Sequence, residues 1–282
     1  MSGTIKIRKG LNIKLLGEAD KTLTAVTTRS CAVKPTDFIG VFPKMLVKPG
    51  AEVKAGSPLF FNKYSEKVIF TSPVSGIVSE IVGGEKRVIQ EIRINCDTEN
   101  TYEDFGIANP NTLTRDEIIE KILKSGVWPY IRQRPFSIIA NPDQTPKSIH
   151  VSAFDSAPLA CDLDFMVHSK GDEFQAGIDA LKNLTTGKVH LNVHETNTTS
   201  KVFLNSQNCQ INKFSGPHPA GNVGIQIHHI EPINKGDLIW YLSPQAVLII
   251  GRLFLHGKYD ATKIVALAGS EVKNPRYFKL NS

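Results

Sequence analysis

Hydrophobic and polar residues alternate along roughly the first hundred residues of the chain. Ile5, Ile7, Ile13 and Leu15 are each separated by polar residues, and the run Val-Ile-Gln-Glu-Ile-Arg-Ile at 88–94 closes the region. A hydrophobic period of two is typical of strands with one buried face. The pattern therefore predicts a β-rich segment from residue 1 to about 100.

The pattern changes to a helical period near residue 114. Thr114 and Glu117 have the spacing of a capping box, in which each side chain satisfies a backbone N–H at the start of a helix. Ile118, Ile119, Ile122 and Leu123 lie on one face of this helix, and Ser125-Gly126 ends it. A loop over 126–146 and a strand over 148–154 are expected next.

Strands and helices then alternate up to the end of the chain. Their spacing favours an α/β domain with a largely parallel sheet. The polar residues His190, Asn192 and His194 are interpreted as the solvent side of a half-buried strand rather than as metal ligands. The predicted elements are a helix over 172–184, a strand over 188–194, a strand over 202–204, a strand over 238–242, a helix from the Ser243 cap to about 256, and a strand over 263–269.

Composition narrows the class of protein. The 282 residues, 41% hydrophobic and 21% charged, are enough for two globular domains. The net charge of +6 comes without a run of five like charges or an aromatic stacking motif, so nucleic-acid binding is not expected. The charge suits docking to acidic partners, or to a membrane surface beside other subunits.

The four cysteines are widely spaced and form no CxxC motif. This spacing argues against an iron–sulfur ligand set, a zinc ribbon or a disulfide framework, and favours a reducing compartment. The most apolar stretch, 246–255, is about half the ~20 residues that a membrane helix needs. His228, His229 and Glu231 are not expected to bind a metal, because adjacent helical side chains point about 100° apart.

Residues 47–81 contain two similar halves, each a strand, a glycine turn and another strand. The arrangement resembles a barrel-sandwich hybrid, the fold of lipoyl and biotinyl domains. The modified lysine of those carriers would fall at Ser65, which Lys63 and Lys67 flank without matching. A rigid docking module is therefore expected rather than a lipoate or biotin carrier, an alternative that intact-mass measurement would test.

A glycine-rich segment over 216–224 is the densest local motif. Gly216, His218, Gly221 and Gly224 are expected to have a structural role in this loop. A helix through His228 is expected to follow, and its N-terminus behind such a loop can hold an anion. A turn packed closely against another element is the favoured interpretation. The segment is not a GxGxxG dinucleotide-binding fingerprint.

The segment 125–136 combines aromatic rings with guanidinium groups. Trp128, Tyr130, Arg132, Arg134 and Phe136 suit a quinone headgroup, with its flat ring and carbonyl oxygens, or the hot spot of a protein interface. A rigid linker that packs its Trp on the second domain is the third interpretation, and interface or linker is favoured over ligand site.

Taken together, these segments resemble those of the A-type subunits of the bacterial Na+-translocating NADH:quinone reductase. The resemblance runs in order over nearly the whole chain, and family members are longer, so an N-terminal fragment is expected. It implies a barrel-sandwich hybrid domain at 1–105, a Rossmann-like α/β domain at 106–257, and the beginning of an SLBB-type β-grasp domain at 258–282. The matching segments are 5–11, 46–56, 83–88, 134–137, 216–221, 267–269 and 274–276.

More distantly, the chain is similar to the flavin-binding subunit of respiratory complex I and to the C-type subunit of the Rnf complex. The segments that correspond to their flavin site are 126–136 and the turn that contains Phe154 and Asp155. Bulky residues stand there in place of bare backbone, so the resemblance implies a cofactor-free subunit without FMN, iron–sulfur cluster or covalent cofactor.

The implied role is that of a peripheral subunit on the cytoplasmic face of the bacterial inner membrane. Its partners would be the other subunits of the complex, including membrane subunits. The whole complex would be a translocase with quinone as its substrate, and the isolated chain would be inactive. The candidates for quinone or subunit contacts are Trp128, Tyr130, Arg132, Arg134, Phe136, Phe154 and Asp155. A purely structural docking subunit, with quinone bound elsewhere, is the alternative.

Overall fold

Four β-sheets and six α-helices form residues 4–280, the part of the chain that this computed structural model describes. The strands are β1 (Ile5–Lys6), β2 (Asp20–Val26), β3 (Ser30–Val33), β4 (Pro43–Met45), β5 (Glu52–Val53), β6 (Pro58–Asn62), β7 (Ser65–Thr71), β8 (Gly76–Gly83), β9 (Ile89–Cys96), β10 (Arg132–Arg134), β11 (Ile138–Ile139), β12 (Ile149–Ser152), β13 (Val189–His194), β14 (Gln210–Ser215), β15 (Ile239–Leu242), β16 (Lys263–Leu267) and β17 (Arg276–Leu280). The helices are α1 (Arg115–Lys124), α2 (Leu163–Met166), α3 (Gly171–Lys182), α4 (Lys201–Leu204), α5 (Val223–Ile230) and α6 (Pro244–His256).

The largest sheet has seven strands in the order β1-β14-β13-β12-β15-β10-β11. Its first five strands run parallel, and β10 and β11 form an antiparallel edge. Helices connect the parallel strands, as such a sheet requires. The predicted α/β domain with a largely parallel sheet is confirmed.

Helices cover both faces of this sheet. Helices α3 and α6 pack at backbone distance, because a Cβ on Gly177 would lie 2.2 Å from the carbonyl oxygen of Val247. They cover the apolar face of β13, where Val189 and Leu191 are buried. Helix α5 covers the opposite face, since its Gln226 donates a hydrogen bond to Ser152 of β12.

Two small sheets, β3-β9-β8-β5 and β4-β6-β7, form the first module. Their alternating apolar residues meet in a shared core that includes Leu59, Val78 and Ile92, each fully buried. Phe60 and Phe70 stack there with ring centroids 4.5 Å apart. This is the sandwich that the two similar halves of 47–81 predicted.

The tip of the β6–β7 hairpin is not where the sequence spacing put it. Lys63 and Tyr64 form the turn. Ser65 is the first residue of β7, where it pairs with Asn62 of β6. The prediction of Ser65 as the tip was wrong because the register shifts between Phe61 and Asn62, where β7 contains extra residues. Lys63 is therefore the exposed lysine at the turn.

The first two strands leave the β-rich module and pair with later parts of the chain. Strand β1 lies parallel to β14, with Ile5 opposite Phe214. Strand β2 lies parallel to β17, which pairs with β16 to complete a three-stranded sheet. Ile13 and Leu15 are in neither strand and are more than half exposed, at 57% and 56%.

Three local predictions need correction. Residues 202–204 belong to α4 instead of a strand, because Ser200 caps a short helix there. The expected loop 126–146 contains β10 and β11, and β14 was not foreseen. Strands as short as β10 and β11 carry little period-two signal, so only their pairing defines them. Helices α1, α3, α5 and α6 and strands β12, β13, β15 and β16 are confirmed.

Candidate functional site

Trp128, the largest predicted ligand-site residue, is a core residue. Its side chain is fully buried, and its indole Nε1 donates a hydrogen bond to the carbonyl oxygen of Ala140 at 2.7 Å. Its ring meets the buried ring of Trp240 edge-on, with centroids 5.4 Å apart. A residue with no exposed surface cannot touch a quinone or a partner, so the structure favours the linker interpretation of Trp128.

Tyr130 lies in a cleft between the β-sandwich and the α/β domain. Its hydroxyl is 3.0 Å from that of the buried Tyr259, and the Lys263 amino group lies 4.7 Å from its ring centroid. The cleft has a volume of about 360 Å³. Seven of the residues that line it carry an aromatic ring or a charge: Lys34, Asp37, Phe38, Phe70, Tyr130, Tyr259 and Lys263.

Burial shifts the titration of two groups that line this cleft. It raises the pKa of the Cys31 thiol to about 11, with the neighbouring Cys96 adding to the shift. It also raises the pKa of Tyr259 well above that of a free phenol, with Tyr130 contributing. Both groups are therefore neutral at physiological pH, and the charged side chains that line the cleft are Lys34, Lys263 and Asp37.

Arg132, Arg134 and Phe136 lie on the β10–β11 hairpin at the antiparallel edge of the large sheet. The Arg132 guanidinium donates to the carbonyl oxygen of Ser137 at 2.9 Å, and the Ser137 and Tyr241 hydroxyls are 2.7 Å apart. Arg134 stacks on the Tyr241 ring at 5.0 Å. These contacts fix the hairpin tip, which leaves Phe136 76% exposed.

Phe154 and Asp155 lie elsewhere, where the chain leaves β12. Phe154 is 8% exposed and packs near Phe214 and His194. The Asp155 carboxylate is turned to its own backbone and accepts a hydrogen bond from the Ala157 N–H at 2.8 Å. Phe154 is therefore a core residue, and Asp155 is the exposed member of the pair.

The glycine-rich segment packs on this same turn. The Gly221 N–H and the His218 ring both meet the Ser156 hydroxyl, at 2.8 Å and 3.1 Å. Gly216 has φ of +120°, and a Cβ there would lie 2.1 Å from the Ile7 carbonyl oxygen. The segment is a closely packed turn that contacts the residues following β1 and β12.

The predicted site residues thus fall into separate places. Tyr130 faces the interdomain cleft, while Arg132 and Phe136 lie on the edge hairpin. Arg134 extends from that hairpin towards α5, where a Cβ on Gly224 would lie 3.7 Å from its Nη2 atom. The structure therefore brings Arg134 beside the glycine-rich segment but gathers no single pocket from the predicted set.

A buried polar layer between the large sheet and α5 escaped the sequence interpretation. His150 and His190 occupy opposite positions on β12 and β13, and their rings stack with centroids 4.6 Å apart. His190 is 4% exposed and Asn192 fully buried, so the interpretation of this strand face as the solvent side was wrong. Helix α5 covers it.

Amide side chains connect this layer through hydrogen bonds that donate in the same direction, towards α5. Asn212 donates to Asn192 at 2.9 Å, and Asn192 donates to Gln226 of α5 at 2.9 Å. The amides also reach the rings, with Asn212 3.2 Å from Nδ1 of His190 and Asn192 3.4 Å from Nδ1 of His150. The recurrence of polar residues at alternate positions of three successive strands was the signal that could have revealed the layer.

Burial keeps both imidazoles neutral. It lowers the pKa of His150 to about 3, with the adjacent His190 as the second cause. It also lowers the pKa of His190, against a raising effect of the nearby Glu231 carboxylate. One side-chain ligand atom from each of His150, His190 and Glu231 lies within 4.8 Å of the other two.

No helix within residues 4–280 is both long enough and apolar enough to cross a bilayer. This result agrees with the short length of the apolar stretch in α6.

Two family models match the chain. The one described as the NqrA second alpha/beta domain matches residues 113–259, and the one described as the NqrA N-terminal barrel-sandwich hybrid domain matches residues 5–97. The expected fold class, a barrel-sandwich hybrid followed by an α/β domain, is confirmed by these matches.

Curated relatives cover almost the whole chain. The A-type subunit of the Na(+)-translocating NADH-quinone reductase from Yersinia pseudotuberculosis serotype O:1b (strain IP 31758) is 37% identical over 274 residues, which are 96% of this chain and 61% of the relative. The corresponding protein of Pasteurella multocida (strain Pm70) is also 37% identical, over 277 residues with the same two shares. The chain therefore spans about 61% of the length of these relatives.

Among solved structures, a crystal structure of an NAD+-reducing [NiFe]-hydrogenase in the H2-reduced state aligns with 61% of this chain and 38% of its own. The TM-score is 0.43 and the sequence identity is 11%.

Proposed function

This chain belongs to the NqrA family, the A-type subunits of the Na+-translocating NADH-quinone reductase, and on that premise we propose that it works as a peripheral, cofactor-free subunit of such a complex. Its partners are the other subunits of the reductase, including those in the membrane, and its place is the cytoplasmic face of the inner membrane. The NADH:quinone activity and its coupling to sodium transport belong to the assembled complex.

Within the complex, docking through the β10–β11 hairpin is the role that the geometry supports best. The observation that carries this proposal is the exposure of Phe136, 76%, next to Ser137, which hydrogen bonds to Arg132 and Tyr241 hold in place. An aromatic ring on a rigid support loses little conformational entropy when a partner covers it, which is why such residues dominate interface energies. Arg132 and Arg134 beside it add fixed positive charge.

Docking can be tested with Phe136→Ala in the whole complex. We expect at least tenfold weaker retention of this subunit during purification at dilute protein, and unchanged quinone-analogue affinity in the complexes that remain. Ile107→Ala is the matched control, because Ile107 is equally exposed at 75% and lies away from the hairpin. Retention equal to that of the control would refute docking through this tip.

A contribution to quinone binding is the second proposal, and it is supported by the cleft at Tyr130. The cleft volume of about 360 Å³ falls in the ordinary range of ligand pockets. Phe38 can lie against a flat ring, while the Tyr130 hydroxyl and the Lys263 amino group can donate hydrogen bonds to its carbonyl oxygens.

The quinone proposal predicts a change in affinity without a change in assembly. Tyr130→Phe and Lys263→Met should raise the KM for quinone and weaken analogue binding several-fold while the subunit stays in the complex. Tyr64→Phe, at an exposed tyrosine on the β6–β7 turn, is the control. If analogue affinity in both cleft variants equals that in the control, quinone binds elsewhere and the docking role stands alone.

A further inference from the structure

His150, His190 and Glu231 meet at the amino ends of two central strands. His150 and His190 are each the second residue of their strands, which pair in parallel with the two histidines opposite each other. Glu231 is the residue that ends α5, so it reaches the same end of the sheet from the covering helix. The three side chains thus come from three elements and converge with ligand atoms within 4.8 Å of one another.

We propose that these three side chains form a binding site for one divalent transition-metal ion of the zinc class. Two imidazoles and one carboxylate are a common protein ligand set for zinc, and a water molecule would complete a tetrahedron. Ligand bonds of about 2.0–2.2 Å require each side chain to move inward by less than about 1 Å. The stacked rings must also turn about their Cβ–Cγ bonds until their nitrogen lone pairs converge.

Polar neighbours of the two histidines would change partners on metal binding, beginning with the Ser148 hydroxyl, which lies 3.3 Å from Nε2 of His150. A metal on Nε2 leaves the ring proton on Nδ1, which then requires an acceptor, and Asn192 and Asn212 already lie beside the two Nδ1 atoms. Rotating each Asn amide group by 180° exchanges its NH2 group and its oxygen while the side chain stays in almost the same position. The directional amide chain to Gln226 would have to reverse with them, and Gln226 would then give up its hydrogen bond to the Ala220 carbonyl oxygen.

Charge and access also suit a cation at this point. The Glu231 side chain is 31% exposed, so an ion can enter from solvent at the end of α5. Lys147 lies 3.9 Å from the Glu231 carboxylate but pairs more closely with Asp237, at 2.9 Å. The lysine charge is thus largely matched by Asp237, and Glu231 keeps its charge for the ion. Binding would tie the end of α5 to the sheet.

The site can be tested by metal titration of the chelator-treated full chain. We expect calorimetry with zinc chloride to show one ion per chain, and Co²⁺ to give the visible absorption bands of a tetrahedral site without the near-ultraviolet charge-transfer band of thiolate ligands. The melting temperature should rise with metal concentration. His190→Gln and Glu231→Gln should each weaken binding at least tenfold.

The control is His228→Gln, which removes an exposed histidine on the same helix and should leave the titration unchanged. Circular dichroism of the metal-free variants verifies that they are folded, so a loss of binding cannot be attributed to unfolding. The proposal is overturned if zinc does not bind, if the Co²⁺ complex shows thiolate bands, or if both site variants bind as tightly as the His228 control.

Discussion

Gly221 lies directly against Ser156. The Gly221 N–H donates a hydrogen bond to the Ser156 hydroxyl at 2.8 Å, and a Cβ on Gly221 would lie 2.4 Å from the Ser156 backbone nitrogen. The glycine-rich segment and the turn after β12 are therefore packed against each other at backbone distance.

Replacing Gly221 with Ala should destabilise the fold. The added methyl group has backbone atoms on its far side, which cannot yield as a flexible side chain can, so overpacking should cost about 1–3 kcal/mol in the free energy of unfolding. Urea denaturation measures it. Gly171→Ala is the control, because a Cβ at Gly171 meets nothing within 4 Å. Equal stability of the two variants would show that the turn is looser than this contact requires.

Trp128 and Phe136, both predicted from the sequence as contact residues, should behave in opposite ways. Trp128→Phe leaves the Ala140 carbonyl oxygen without its indole donor and opens a gap beside Trp240, which should cost about 1–3 kcal/mol in the free energy of unfolding. Phe136→Ala should change it by less than about 0.5 kcal/mol, since the ring is mostly in solvent. A stability loss at Phe136 larger than that at Trp128 would contradict their placement.

Arg252 should be far more important for stability than an exposed arginine. It is 5% exposed, its Nε donates to Glu173 at 2.9 Å, and its Nη1 donates to the Thr262 carbonyl oxygen at 3.0 Å. Arg252→Met breaks a largely buried ion pair and should cost about 3 kcal/mol, measured by chemical denaturation.

The matched control for Arg252 is Arg93→Met. The Arg93 side chain is 48% exposed and pairs with Glu80 and Glu91 on the surface. Exposed ion pairs contribute little, so this variant should lose clearly less stability than Arg252→Met. Equal losses would mean that Arg252 is not the anchor between α6 and the segment leading to β16.

Tyr259 predicts a loss of stability at alkaline pH. Its folded-state pKa is raised by burial and by Tyr130, whereas the phenol of the unfolded chain ionises near the ordinary pKa of about 10. Above that pH the unfolded chain releases a proton that the folded chain keeps, so this contribution is complete below about pH 10 and is lost as the pH rises. The slope is at most about 1.4 kcal/mol per pH unit.

Comparison with Tyr259→Phe isolates this effect from the titration of other groups. Free energies of unfolding from urea denaturation at pH 9 and pH 10.5 should differ more for the unmodified chain than for the variant. If the two proteins lose the same amount, Tyr259 ionises normally in the folded state and the hydroxyl is not sequestered.

Signals that arise within a few residues could be interpreted from the sequence alone. The Thr114–Glu117 capping box is formed as predicted, with the Thr114 N–H 2.7 Å from the Glu117 carboxylate. Ser243 caps α6 ahead of its first-turn proline. The repeated glycine turns predicted the β-sandwich. The matching segments, which occur in the same order along the chain as in the family, predicted the family. These features depend on backbone geometry that neighbouring residues set by themselves.

Only the tertiary structure decided which distant segments meet. Ile5 lies opposite Phe214 and Asp20 opposite Arg276, and no local period specifies such partners. The same applies to burial, because a polar face such as that of β13 looks solvent-exposed until α5 covers it. His150, His190 and Glu231 are separated by tens of residues; parallel strand pairing brings the two histidines together, and the packing of α5 on the sheet adds Glu231.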